Sequence, residues 1–200
     1  MIEFINICKD KPYKLFKKHY EEALNKRQKI IEGISISSFD KSTQKVTSRF
    51  VNLKYIKNED WIFFSNYNSP KSNSFLSHSQ ISALIHWPET SFQLRILANI
   101  KKTSDEFSND HFSGRSMHKN AVAISSNQSK KISSYDDVIK NYENALAKGA
   151  DFLSKRPDYW GGFTFKPYYF EFWTGNDSRI NKRIEFVKKD DVWEESFLQP

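Results

Sequence analysis

Two arginines, Arg179 and Arg183, stand four residues apart just beyond Trp173, in the stretch Phe170-Glu-Phe-Trp-Thr-Gly-Asn-Asp-Ser-Arg-Ile-Asn-Lys-Arg183. Guanidinium groups present a planar fork of donors, which suits them to fixing phosphates and carboxylates. Neither a Gly-x-Gly-x-x-Gly segment nor a Gly-Lys-Ser/Thr loop is present. A nucleotide phosphate would therefore have to be gripped by side chains rather than by a glycine-lined helix N-terminus. The histidines His19, His78, His86, His111 and His118 lack His-Glu-x-x-His spacing and companion cysteines, so no metal site is expected. Each one alone reads as a surface or core residue. Composition leaves a Ser-His-Asp triad open, but no Gly-x-Ser-x-Gly elbow supports one. Cys8 is the only cysteine, which excludes an internal disulfide and points to a reducing compartment.

The elements that must position these groups can be read from periodicity. Leu15, Phe16, Tyr20, Ala23 and Leu24 recur at helical spacing, predicting a helix from Tyr13 to Ile31 that Gly33 ends. The period then changes. Ile34–Ile36, Val46–Ile56, Trp61–Ser65 and Ile81–Trp87 are short and rich in β-branched and aromatic residues, as expected for antiparallel strands of a meander. Along Phe92–Ile100, the apolar Phe92, Leu94, Ile96, Ala98 and Ile100 alternate with Gln93, Arg95 and Asn99, so one face packs and the other is free to meet a ligand or partner. Ser104-Asp-Glu-Phe and Ser134-Tyr-Asp-Asp resemble helix N-termini, with the Ser-rich stretch 125–134 a loop between them. Strand signals return at Gly162–Phe165, Tyr168–Trp173, Arg183–Val187 and Val192–Phe197. The fold class expected is α+β with a mainly antiparallel sheet, curled into a barrel that removes its own edges.

At 200 residues the chain reads as a single domain, with 1–32 a helical N-terminal segment and 160–200 the C-terminal strands. Its net charge of +7 is scattered among acids, as in Lys188-Lys189 before Asp190-Asp191, so no polybasic arm for nucleic acid is expected. Met1–Cys8 lacks the order of a secretory signal and no segment has the apolar length of a membrane span, so a cytoplasmic protein is expected.

The C-terminal stretch resembles the signature of the pyridoxamine 5′-phosphate oxidase family, Glu-Phe-Trp followed after a short gap by Arg-Leu-His-Asp-Arg. Arg49-Phe-Val-Asn-Leu-Lys54 is similar to that family's Arg-x-Val-Leu-Leu-Lys strand, and Phe64-Ser-Asn-Tyr-Asn-Ser-Pro-Lys71 to its Tyr-Thr-Asn-x-x-Ser-Arg-Lys turn. His86-Trp-Pro-Glu with Gln93, Phe112-Ser-Gly-Arg115 and Ser126-Asn-Gln-Ser129 follow in the family's order, so the resemblance runs from about Leu15 to Pro200. It implies a split β-barrel that binds FMN between two identical subunits and oxidises pyridoxamine or pyridoxine 5′-phosphate. By the same resemblance, Arg49 and Lys71 grip the FMN phosphate, and Phe50, Val51, Leu53, Lys54, Phe64 and Ser65 line the cofactor. Gln93 reaches the ring, while Gln128, Ser129, Trp173 and Arg183 arrive from the other subunit. Lys54 and Arg115 hold a substrate phosphate, and Arg179 covers the substrate ring. The flavin accepts the hydride, so no protein nucleophile is required.

The sequence departs from that pattern in places. Pro70 replaces an arginine of the FMN phosphate site, removing a cation. His111 and Lys119 replace the Tyr and Ser on the substrate phosphate, and both are donors when charged. Asn181, the second catalytic candidate beside Arg179, replaces the signature histidine and carries no titrating proton. An anionic aromatic substrate such as a phenazine precursor, or flavin carriage without catalysis, are the other functions implied.

Overall fold

The computed structural model describes Met1–Pro200, all 200 residues. In chain order the elements are β1 (Glu3–Ile5), α1 (Lys11–Asn25), β2 (Gly33–Asp40), β3 (Lys45–Lys57), β4 (Asp60–Asn66), α2 (Pro70–Ser77), β5 (Gln80–Trp87), β6 (Phe92–Lys102), α3 (Asp105–Ser113), α4 (Met117–Ser125), α5 (Tyr135–Leu146), α6 (Ala150–Leu153), β7 (Trp160–Thr174), β8 (Lys182–Lys189) and β9 (Val192–Leu198). No helix is long and apolar enough to cross a membrane.

The strands do not form a plain meander. β2 pairs with β3, β3 with β4, β4 with β7, β7 with β6, β6 with β5, and β5 back with β2, so the sheet closes on itself and leaves those strands no free edge. The barrel is split because one edge of β7 is shared. β4 takes Trp160–Phe165 and β8 takes Tyr169–Thr174, so the β8–β9 hairpin peels away from the closed ring. The short β1, which falls in the segment expected to be helical, lies parallel to the end of β3.

Alternation along the strands turns one face inward. On β6 the buried residues are Phe92, Leu94, Ile96, Ala98 and Ile100, the set the sequence pattern selects. They join Trp61, Phe63, Phe163, Phe165, Phe170 and Phe172 in one core, onto which α1 lays Tyr13, Phe16, Tyr20 and Ala23. Phe16 sits with its ring centroid 4.6 Å from that of Trp61. Burying a side chain of this size contributes about 1.5–3 kcal/mol.

Two irregularities re-aim side chains. The β3–β4 register skips Lys54, since Leu53 pairs with Phe63 and Tyr55 with Ile62. The β6–β7 register skips Tyr168, since Leu97 pairs with Tyr169 and Ala98 with Pro167. Each is a β-bulge, which inserts one residue and reverses the facing of those that follow. Before Tyr168 the inward residues are Phe163 and Phe165; after it they are Phe170 and Phe172.

α1 stops at Asn25, earlier than periodicity predicts. Arg27 takes a left-handed conformation, φ 57°, and the Gln28 amide returns to the Ala23 carbonyl at 2.9 Å, so a non-glycine residue closes the helix ahead of Gly33. Ile31 is buried from the turn that follows. Ser104 and Ser134 cap α3 and α5 by accepting from the amides of Phe107 and Asp137. β7 opens on bare backbone: a Cβ on Gly161 would fall 2.2 Å from the Tyr67 hydroxyl. That close approach lets Ser108 of α3 accept from the Gly162 amide at 3.1 Å, docking the helix that carries His111.

Candidate functional site

A cavity of about 580 Å³ opens where β3 and β4 meet the α3–α4 helices. β3 contributes Phe50, Val51, Asn52 and the bulge residue Lys54, and β4 contributes Phe64 and Ser65. Lys71 enters from the first turn of α2, whose start is set by Pro70, since proline's fixed φ favours the first helical position. His111 comes from α3, Arg115 from the α3–α4 link, Lys119 from α4, Gln128 from the loop beyond it, and Trp160 from the start of β7. Cations line the cavity and no aspartate or glutamate does.

One wall is planar. The Phe64 ring stacks on His111 with centroids 3.6 Å apart and planes 9° apart, and runs nearly parallel to Trp160 at 5.3 Å. The Arg115 guanidinium lies 4.4 Å from the Trp160 ring centre, a cation–π contact. Tyr55 shares a 2.8 Å hydrogen bond with His111 Nδ1.

The cations are crowded and partly stripped of water. Burial, reinforced by the charge of Arg49, lowers the Lys71 ammonium to about 8. Its Nζ donates to Gln128 Oε1 at 2.7 Å, Ser69 Oγ at 3.0 Å and Ser65 Oγ at 3.1 Å. Arg49 is anchored behind it, donating to Ser38 Oγ at 2.8 Å, the Ile36 carbonyl at 3.1 Å and Thr47 Oγ1. Burial lowers Arg115 to about 10, which leaves it charged at neutral pH. Its Nη2 donates to the Lys119 carbonyl at 3.2 Å, but Nη1 is buried without any partner. A buried donor in that state costs about 1–3 kcal/mol, and more when charged, until an acceptor reaches it. His111 is pushed down to about 4 by burial first, then by Arg115, Lys54 and Lys119.

The remaining expected residues gather elsewhere. Cross-strand register places Gln93 opposite Trp173 and Trp173 opposite Arg183, a row of donors on the outward face of β6, β7 and β8. Arg179 is exposed in the turn after β7, and Asn181 uses its Oδ1 to accept from the Asn176 amide at 3.1 Å. None of Gln93, Trp173, Arg179, Asn181 and Arg183 lines the cationic cavity of their own chain. Ser129 lines a separate cavity beside α4 and α5. Cys8, Asp10 and Glu59, which line neither cavity, bring ligand atoms within 4.8 Å of one another, but Glu59 is already paired with Lys166 and Lys188.

Two expectations are corrected. Leu53 is fully buried in the core, so its side chain cannot touch a ligand in the cavity. Gln128 stands beside Lys71 and Ser65 of its own chain, where it needs no second subunit to reach the cavity. For His111, a donor when charged, burial and three neighbouring cations disfavour the proton and keep the ring neutral at pH 7. Residues not singled out from sequence also build the site. Trp160 forms part of the planar wall, Tyr55 fixes His111, and Asn66 holds the Ser126 carbonyl at 3.1 Å, steadying the loop that carries Gln128. Asn66 and Ser69 lie inside the stretch Phe64–Lys71, which was the available signal; Tyr55 and Trp160 offered none locally.

Residues 160–200 match the family described as the pyridoxine 5′-phosphate oxidase C-terminal dimerisation region. The pyridoxine/pyridoxamine 5′-phosphate oxidase of Colwellia psychrerythraea is 32% identical over 193 residues, covering 94% of this chain and 87% of the relative. That of Cytophaga hutchinsonii is 38% identical over 152 residues, covering 74% and 69%. Among solved structures, PhzG from Burkholderia lata 383, in complex with tetrahydrophenazine-1-carboxylic acid, superposes with a TM-score of 0.89 at 22% identity over 95% of this chain and 93% of that one. A pyridoxamine 5′-phosphate oxidase-related, FMN binding protein from Nostoc punctiforme superposes with a TM-score of 0.78 at 10% identity, over 96% and 99%. The structural likenesses establish the split-barrel fold, and the sequence likeness over nearly the whole length establishes that the chain belongs to the pyridoxine/pyridoxamine 5′-phosphate oxidase family.

Proposed function

We propose that the chain is an FMN-dependent oxidase that converts pyridoxamine or pyridoxine 5′-phosphate to pyridoxal 5′-phosphate with dioxygen, as a homodimer. The observation that carries this reading is the acid-free cationic cavity, in which Arg115 keeps a buried Nη1 with no partner. Such a donor, beside Lys54 and Lys119, fits a phosphate dianion. The residues present fit FMN as well: a second cationic pair, Arg49 and Lys71, suits its phosphate, and the planar wall around Phe64 suits a flat ring system. The volume of about 580 Å³ is that of an ordinary ligand site.

The chemistry FMN supplies when bound is acceptance of a hydride from the substrate, with the electrons passing on to dioxygen. Arg49 and Lys71 hold the cofactor phosphate; Phe50, Val51, Phe64 and Ser65 flank the flavin, and Gln128 ties Lys71 to the loop after α4. Lys54, Arg115 and Lys119 take the substrate phosphate, with neutral His111 as a hydrogen-bonding neighbour. Gln93, Trp173 and Arg183, with Arg179 and Asn181 on the adjoining turn, form the complementary half. Because that half lines no part of its own chain's cavity, and because residues 160–200 match a dimerisation region, a second copy is the natural source of Trp173 and Arg183.

A second reading keeps the cofactor and changes the substrate to an aromatic carboxylic acid of the kind bound by the Burkholderia protein. The uncharged His111 lying flat on Phe64 favours it, since a fused ring with one negative charge needs fewer cations than a phosphate dianion. Turnover separates the two. FMN-loaded protein mixed with pyridoxamine 5′-phosphate in air is expected to accumulate pyridoxal 5′-phosphate. No product, with flavin bleaching by a tetrahydrophenazine carboxylic acid under anaerobic conditions, establishes the second reading instead.

A further inference from the structure

Glu171 is the one acidic side chain placed by β7 on the outward face between Tyr169 and Trp173, and it is 2% exposed. A carboxylate so deeply buried must be neutralised by its neighbours. Its Oε2 accepts from Arg95 Nη1 at 2.6 Å and from the Tyr169 hydroxyl at 3.3 Å. Its Oε1 accepts from Arg183 Nε at 2.9 Å, with Arg183 Nη2 at 2.8 Å. Arg183 Nη1 donates to the Gln199 carbonyl at 2.8 Å, which fixes the guanidinium from the opposite side. Every nitrogen of the fork is therefore engaged, yet each terminal nitrogen carries a second N–H that these contacts do not use. The Arg183 side chain remains about one quarter open, at 26%. Register adds direction, because Arg183 stands directly across from Trp173, and Trp173 directly across from Gln93.

We propose that Glu171 is a positioning residue: gripped by Arg95 and Tyr169, it orients the Arg183 guanidinium so that its unused N–H edge meets the flavin in the cavity of a second copy. This rests on the reading of Arg183 as a flavin ligand. Glu171 does not touch the cofactor. Its effect is to remove the freedom of a long side chain before binding, so the ordering of Arg183 is not subtracted from the affinity.

The test is FMN titration of flavin-stripped full-length protein, followed by flavin fluorescence and visible absorption, for wild type, Glu171→Gln, Arg183→Met and the double variant. Glu171→Gln is expected to weaken FMN binding about tenfold and to alter the bound-flavin absorption bands. The same change made on Arg183→Met is expected to do nothing further, because positioning acts only through the residue positioned. Glu171→Asp keeps the charge and withdraws it by one methylene; it serves if the Gln variant does not fold, with loss in the same direction. Wild-type FMN affinity in the Glu171 variants, while Arg183→Met loses affinity, overturns the proposal and leaves the reading of Arg183 intact. Equal losses from the Glu171 change on both backgrounds reduce it to a structural residue and also overturn it. Unchanged affinity in Arg183→Met overturns the reading on which it rests.

Discussion

Lys71 gives the proposed cofactor site a measurable dependence on pH. Its ammonium titrates near 8 in the free protein because it is half-buried and faces Arg49. A phosphate monoester has its second pKa near about 6, so FMN is already a dianion at neutral pH and only the protein side titrates above it. The charged lysine favours the dianion, so affinity is greatest near pH 7, between the two titrations, and is lost as pH rises through 8. With a free-state value of about 8, the protonated fraction falls from about nine tenths at pH 7 to about one tenth at pH 9. The dissociation constant for FMN should rise about tenfold over that interval, equivalent to about 1.4 kcal/mol. The assay is a fluorescence titration at half-unit steps, with riboflavin, which has no phosphate, as the control. Lys71→Arg keeps the charge throughout and should flatten the profile. A wild-type profile that is flat from pH 7 to 9, or a riboflavin profile with the same slope, refutes the assignment of Lys71 to the phosphate.

Arg115→Met should raise KM for the phosphorylated substrate about thirtyfold, the equivalent of about 2 kcal/mol for a lost charged hydrogen bond. Because it also removes a buried donor that lacks a partner, the melting temperature of the ligand-free protein should not fall, and calorimetry checks this. His111 lies near 4 when folded against an ordinary 6.5, so the unfolded chain takes up its proton first. Stability should therefore decline as pH falls through that window, and His111→Phe should lessen the decline in urea unfolding. Ser104→Ala removes the cap on the Phe107 amide and should cost about 1 kcal/mol in urea unfolding while leaving the FMN pH profile unchanged.

How much of this could be read from sequence depends on the range of the signal. The alternation on β6 and the serine caps of α3 and α5 are encoded within a few residues, and each matches the structure. The split barrel and the cationic set came into view through ordered family-like blocks rather than through any local rule. Periodicity gives no sign of α2, since only Phe75 and Leu76 are apolar in a helix otherwise made of Ser, Asn, Pro and Lys. The end of α1 depends on Arg27 adopting φ 57°, for which a sequence rule looks to glycine. The neutral state of His111 follows from burial and from three cations carried by separate elements, a juxtaposition that no window of sequence contains. The two-part layout of the site is likewise a matter of sheet register, with Gln93, Trp173 and Arg183 united only by pairing between strands.

The extra residue at Tyr168 has a consequence for how this chain tolerates change in length. Removing it would put Trp173 and Glu171 into the barrel interior and turn Phe170 and Phe172 onto the outward face, a spatial frameshift that scrambles every position up to the hairpin. Insertions between Phe165 and Phe170 are equally forbidden unless they come in twos. Lengthening the surface turn between α5 and α6 changes no facing and should be borne easily, so indels selected in a random library ought to accumulate there and avoid the middle of β7.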